Sequence, residues 1–475
     1  MPRQPNVVVF FTDQQRWDCS SLHGNPLDLM PNFDRVARRA THVANSFTCA
    51  PVCGPARACL QTGTHITTNG AVRNGIGLTP DLPNLAGCFN DAGYHTGYIG
   101  KWHLARPGGL TKDGERGAVM EGHRGNYRQW LAAEALEFSV DEYHTVLYDN
   151  DNQPVRLPGY RSDALVDASI RFIHQHQDKP FFLMTSFIEP HHQNDKDDYP
   201  PPHGYRERYV GRWTPPDLAA LPAFYFDGDE PNHHRIGGST QQHLGGYYGM
   251  VKRLDEGFGR VMDALHSLGL DRDTIVLFTS DHACHFKTRN GEYKRTAHDT
   301  SIRVPTLLAG PGFEGGGHVQ QLVSLVDLPP TLLDACGVTP PATMEGRSLL
   351  PLLRGDATGW PEEMFVQVCD AKVGRAVRTK RWKYCVMSET DSSKIKSRED
   401  WANVEYKEAL LYDLHHDPYE LVNLIEQSSH EQVKRVMRER LLRRMKALGE
   451  PEPKLTLAEN KPSGQRRVRD DEVME

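Results

Sequence analysis

Residues 49 to 63 read CAPVCGPARACLQTG, which puts three cysteines, two prolines and one arginine into the eleven positions from Cys49 to Cys59. Cysteines this dense could build a metal knuckle or a disulfide knot, or one of them could be a reactive thiol or a modified residue. A zinc knuckle needs paired ligands at close spacing. The chain has no C-x-x-C, and the spacing 49-53-59 has no matching downstream Cys/His pair. Disulfide scaffolds are short and cysteine-dense, whereas nine cysteines are scattered through these 475 residues, so the thiols read as reduced. Cys53 stands apart. Gly54-Pro55 follows it and opens the helical pattern ARACLQTG, closed by Gly63, and proline is favoured in the first turn of a helix. Position 53 then lies at the positive end of a helix, where an anion or a thiolate is stabilised. Two readings stay open at this point: a reactive or modified centre, and a buried structural cysteine.

Other chemistry-bearing residues fall at the ends of apolar runs. NVVVFF (6–11) precedes Asp13-Gln14, and YHTGYIG (94–100) precedes Lys101 and His103. PFFLMTSFI (180–188) precedes His191-His192, DTIVLFTS (273–280) precedes Asp281-His282, and RVPTLLAG (303–310) precedes a glycine-rich loop. Continuous apolar runs alternating with helical patterns argue for buried strands in a mostly parallel α/β sheet flanked by helices. In such sheets chemistry gathers beyond the C-terminal ends of the strands, and all four polar clusters lie there. Each residue also has a bland reading. An Asp after a strand caps a helix, a lysine or histidine there caps a strand end, and Lys294 alone is a solvated surface lysine.

Taken together, the motifs resemble those of the type I sulfatases of the alkaline-phosphatase-like superfamily. CGPAR matches their C-x-P-x-R signature at every specified position, and GYIGKWHLA (97–105) resembles their G-x-x-G-K-x-H element. The resemblance implies that Cys53 is converted to formylglycine, whose hydrated aldehyde is the nucleophile, and that Arg57 holds it and offsets charge near a metal. It implies metal ligation by Asp13, Gln14, Asp281, His282 and residue 53. Many family members have Asp-Asp and Asp-Asn at the two pairs, an all-oxygen shell suited to calcium. Gln14 and His282 depart from that, and imidazole suits transition metals better, so manganese stands beside calcium. Lys101 is implied to contact the ester and residue 53, and His103 to act as base on the second hydroxyl. His191, in FIEPHHQND, is implied to bind sulfate and protonate the leaving oxygen, with His192 lining the substrate pocket. Lys294, in NGEYKRTAHDTSIRVP, stands where the family keeps a sulfate-binding lysine, and Asp299 occupies a position often held by Glu. The likeness runs from about Asn6 to Pro311 and returns in LLYDLHHDPYELVNL. The same motifs resemble the phosphonate monoester hydrolases. A non-catalytic binding protein on this scaffold is the remaining alternative.

Composition bounds the rest. The length argues for a large domain and a smaller one, placed at 1–360 and 361–475, the second an α+β unit with an antiparallel sheet and a polar tail, KPSGQRRVRDDEVME, expected to be frayed or used between subunits. A net charge of −7 argues against nucleic acid, whose binding relies on clustered positive charge. The basic run Lys434–Lys446 has helical apolar spacing and reads as a surface helix. The longest apolar run found is Val7–Phe11, far short of the roughly 20 residues a membrane helix needs, and it is a poor secretory signal. A cytoplasmic protein, or one whose leader has been removed, is the expectation, with a homo-oligomer among the options. The irregular His- and Pro-rich segment 192–245 reads as a lid or binding loop, and with the basic GRAVRTKRWK (374–383) it is expected to shape the pocket mouth. The expected partners are a sulfate ester, of a saccharide or a small molecule, and a formylglycine-generating maturation enzyme.

Overall fold

The computed structural model describes residues 4–114, 117–137, 141–221, 240–370, 372–396 and 399–474. Its centre is a ten-stranded sheet, in the spatial order His318–Val319, Thr41–Val43, Leu307–Ala309, Thr274–Ser280, Asn6–Thr12, Phe181–Ser186, His95–Lys101, Gln129–Ala133, Thr145–Tyr148 and Pro154–Leu157. The five strands from Thr274–Ser280 to Gln129–Ala133 run parallel. Leu307–Ala309 and the Thr145–Leu157 hairpin are antiparallel to their neighbours. All seven residues of the first strand are buried, as expected where helices cover both faces. Val8 and Phe10 pack on one side with residues of the helices Arg161–His176 and Thr240–Ser267. Val7, Val9 and Phe11 pack on the other with the helices Cys53–Thr62 and Leu328–Ala335.

Register sets where the chemistry emerges. Gly100 pairs with Ser186, Ser186 with Phe11, and Phe11 with Thr279. These four residues form one row across the sheet, so the segments that begin at 101, 187, 12 and 280 leave it side by side. Gly100 is needed in that row. Its φ is +105°, and a Cβ there would sit 2.0 Å from the Ser186 carbonyl oxygen.

The second sheet runs in the order Met364–Val368, Lys372–Arg378, Trp382–Asp391, Glu405–Asp413 and Lys454–Thr456. The first four strands are antiparallel and the last pairs parallel. The helix Glu431–Ala447 covers it through Val433, Met437, Leu441 and Met445. The polar tail is docked rather than frayed. Val473 is buried in that core, the Glu472 carbonyl accepts from Trp382 Nε1 at 2.7 Å, and Arg466 pairs with the Glu472 carboxylate. The sequence pattern did not show this because a single buried valine leaves no periodicity. Among the described residues no helix is long and apolar enough to cross a membrane.

Within 192–245 the chain forms two short helices, Arg206–Tyr209 and Pro216–Ala220, and a long one that begins at Thr240. Asp217 of this segment is buried in an ion pair with Arg16. Residues 222–239, which the lid expectation also covers, lie outside the described residues.

Candidate active site

The helix Cys53–Thr62 is buried along its whole length, and Gly63, at φ +66°, ends it with its N–H on the Cys59 carbonyl. Its first residue sits at the sheet's C-terminal edge, and the N-cap residue Val52 offers no side-chain acceptor. The helix dipole makes that end electropositive. All nine cysteines are free.

The adjacent strands Asn6–Thr12 and Thr274–Ser280 pair Thr12 with Ser280, which brings Asp13 beside Asp281. Asp13 Oδ2 accepts from Lys101 Nζ at 2.7 Å and from Arg57 Nη2 at 2.9 Å. Arg57 Nη2 is also 3.3 Å from Asp281 Oδ2, and its Nη1 donates to Ser186 Oγ at 2.6 Å. Arg57 thus braces both carboxylates. The Cys53 sulfur is 3.6 Å from Asp13 Oδ1, 3.3 Å from His282 Nε2 and 2.9 Å from Lys294 Nζ. Lys294 Nζ also reaches His191 Nε2 at 3.1 Å. His103, at φ +57°, brings its ring beside the Cys53 thiol. The structure brings together Cys53, Arg57, Lys101, His103, His191, Lys294, Asp13, Asp281 and His282.

Electrostatics here are set by burial and by which charges meet. Burial by itself would raise the Cys53 thiol, yet Lys101, Lys294 and His282 hold it well below the ordinary thiol range. Burial opposes charge on Lys294, but Cys53 and Asp13 hold its ammonium above the usual lysine value. Burial and then Lys294 push His191 down to about 3, so this imidazole is neutral and Lys294 is the charged member of the pair. Burial, followed by the neighbouring Asp13, pushes Asp281 up to about 6.

The donor set fits a divalent cation. Ligand atoms of Asp13, Cys53, Asp281 and His282 all lie within 4.8 Å of one another. Gln14 Oε1 is buried and has no partner among the described residues. Two carboxylates, an imidazole and an amide oxygen suit a hard or borderline ion.

Several residues had other duties than the sequence suggested. His192 is fully buried, with Nδ1 3.1 Å from Asn194 Oδ1 and Nε2 3.2 Å from Asp197 Oδ1. Both ring nitrogens are engaged within its own loop, so His192 fixes that loop. Asp299 meets Arg378 at 3.0 Å and Lys383 at 2.5 Å, a buried bridge to the second sheet. Within the basic run 374–383, expected at the pocket mouth, four of the five cations turn inward. Arg375 pairs with Glu450, Arg378 and Lys383 with Asp299, and Arg381 with Asp413, all buried. Ion pairing draws these cations inward, because a buried carboxylate needs a partner. Sequence reasoning missed Asn74, whose Oδ1 accepts from Gly54 N at 2.9 Å, and Ser186, the acceptor for Arg57. Neither sits in a motif, and only tertiary contact reveals them.

Among known proteins, a family model described as Sulfatase matches residues 5–338, and one described as N-sulphoglucosamine sulphohydrolase, C-terminal, matches residues 291–447. The ulvan-active sulfatase of Formosa agariphila is 28% identical over 466 residues, covering 94% of this chain and 82% of that protein. A protein solved in complex with its substrate D-glucosamine-2-N,6-O-disulfate has a TM-score of 0.74 at 21% identity, covering 95% of this chain and 99% of that one. The phosphonate monoester hydrolase of Agrobacterium radiobacter has a TM-score of 0.70 at 24% identity, covering 94% and 96%. The fold is the one these structures share.

Proposed function

The chain belongs to the sulfatase family and is a sulfuric ester hydrolase, and from that premise we propose that it cleaves the sulfate monoester of a carbohydrate at residue 53, matured from cysteine to formylglycine. The observation that carries this reading is the meeting of Cys53 with Lys294, Asp13 and His282 in one buried cluster. The carbohydrate is supported by the relatives, one of them named for activity on ulvan and a structural neighbour solved with a sulfated glucosamine as its substrate.

Asp13, Gln14, Asp281, His282 and residue 53 would hold the divalent ion, calcium with manganese as the alternative. When bound, such an ion neutralises ester oxygens and lowers the pKa of a neighbouring hydroxyl. A hydrated aldehyde at residue 53 supplies an oxygen nucleophile and a second hydroxyl through which sulfate can be expelled. The chain's own residues do the rest. Lys101, Arg57 and Lys294 surround the transferring group with positive charge already in place. Lys294 protonates the departing alcohol oxygen, and neutral His191, whose Nδ1 donates to the His192 carbonyl, accepts from the Lys294 ammonium at Nε2 and holds it in place. His103, whose ring touches residue 53, takes the proton from the second hydroxyl. A formylglycine-generating enzyme is the partner this maturation requires.

Mass spectrometry of the tryptic peptide Ala40–Arg57 tests the reading. An aldehyde at position 53 with Cys49 still a thiol is expected; an intact Cys53 in fully active enzyme would overturn it. A second reading, phosphonate monoester hydrolysis, draws on Gln14 and His282 at the metal pairs and on the neighbouring hydrolase fold. Turnover of an aryl sulfate against a phenylphosphonate monoester separates the two, and phosphonate cleavage faster by orders of magnitude would favour the second.

A further inference from the structure

Gln14 is restrained at every polar atom but one. Its φ is +68°, its backbone N–H donates to Asp281 Oδ1 at 3.1 Å, and its carbonyl accepts from Tyr247 Oη at 2.9 Å. In the side chain, Nε2 lies 3.1 Å from Tyr199 Oη and 3.1 Å from Cys284 Sγ. Those two acceptors are 3.4 Å from each other. Gln14, Tyr199 and Cys284 are fully buried. Both donor positions of the amide nitrogen are used, while Oε1 has no partner among the described residues. A buried oxygen left in that state is destabilising unless something on its open side takes it.

The geometry points to Tyr199 and Cys284 as positioning residues that turn the Gln14 carboxamide so that its oxygen, not its nitrogen, joins the metal shell. This rests on Gln14 being a metal ligand, as proposed above. The two acceptors come from different parts of the fold. Tyr199 lies in the segment after the strand Phe181–Ser186, and Cys284 lies two residues beyond His282. Tyr199 cannot swing away. Its ring packs at 5.5 Å from Tyr247, 5.3 Å from Phe286 and 5.1 Å from His192. That also gives His192 an indirect part in the site, through the ring that holds the amide. A carboxamide is a weak ligand that can present either end. Fixing its nitrogen elsewhere removes the rotation that binding would otherwise have to stop.

The test uses full-length enzyme stripped of metal, with Mn²⁺ and Ca²⁺ affinities measured by chelator competition and apo-protein melting as a check on folding. Gln14→Ala, Tyr199→Phe and Cys284→Ala are each expected to weaken binding by about 10- to 100-fold, the range for lost supporting contacts at metal sites. Cys284→Ser, which keeps an acceptor, is expected to retain most of the affinity. Adding Tyr199→Phe and Cys284→Ala to Gln14→Ala is expected to change affinity less than about twofold, since both act only through the amide. The proposal is overturned if Gln14→Ala weakens binding while Tyr199→Phe and Cys284→Ala do not, or if their effects add in the Gln14→Ala background. If Gln14→Ala leaves affinity unchanged, the ligand reading fails and takes the proposal with it.

Discussion

Lys294 Nζ lies 2.9 Å from the Cys53 sulfur, although 241 residues separate the two in the chain. The lysine reaches the site from a segment that the second sheet ties down, through Arg295 to Asp370 at 2.9 Å and through Asp299 to Arg378 and Lys383. The sulfur stands at the head of a helix locked under the central sheet. The second sheet therefore steadies the segment that delivers the lysine to the reacting atom.

Replacing that lysine should damage turnover without unfolding the protein. Lys294→Ala is expected to lower kcat/KM by on the order of 10²- to 10³-fold, the usual cost of removing one fixed donor from a charged transition state. Lys294→Arg should not restore it, because a planar guanidinium cannot occupy the ammonium's place between residue 53 and His191. Steady-state kinetics on an aryl sulfate decides this; a loss below tenfold for Lys294→Ala would remove the lysine from the mechanism.

Gly100→Ala is expected to destabilise the protein and displace Lys101. The added methyl would meet the Ser186 carbonyl oxygen at 2.0 Å on a backbone with φ of +105°. Overpacking of this kind costs about 1–3 kcal/mol. Chemical denaturation measures it, and a variant as stable as the parent would show that the strand row can slide.

The His65–Glu345 pair should make stability depend on pH. Burial opposes charge on His65, but the hydrogen bond with Glu345 at 2.8 Å raises its pKa above 6.5, and although burial pushes the Glu345 carboxyl the other way, the bond with His65 brings it below 4.5. A raised histidine contributes stability that is fully present below the unfolded value near 6.5 and is lost as pH rises through the folded value. A lowered carboxylate contributes above its unfolded value near 4.5. Both conditions hold between those limits. The gap in melting temperature between the parent and Glu345→Gln should therefore be wide at pH 5.5 and narrow at pH 8.5. A gap that grows with pH would contradict the assignment.

Asp299→Ala should unfold the protein readily. It would strand Arg378 and Lys383, both buried, without their shared carboxylate. Breaking a buried pair from one side costs about 3–5 kcal/mol. A denaturation midpoint that barely moves would mean the network relaxes onto Glu420, which Lys383 also meets at 2.5 Å.

Much of this was legible in the residues themselves. The strands Asn6–Thr12, His95–Lys101, Phe181–Ser186 and Thr274–Ser280 stand within a residue or two of where their apolar runs place them. The polar clusters follow each strand, and Cys53 opens its helix. Periodicity and composition report burial and local backbone, and these features are local.

What the sequence determined was the list of reacting groups and the strand ends that carry them, since burial of apolar runs and helix-opening prolines act over a few residues. Only the tertiary structure decided the rest: that Asp13 stands beside Asp281, that the Gln14 amide nitrogen is held by Tyr199 and Cys284, and that Arg375, Arg378, Arg381 and Lys383 are drawn into buried ion pairs. Those outcomes depend on strand register and on which distant charges share a buried space, and no short-range pattern encodes either.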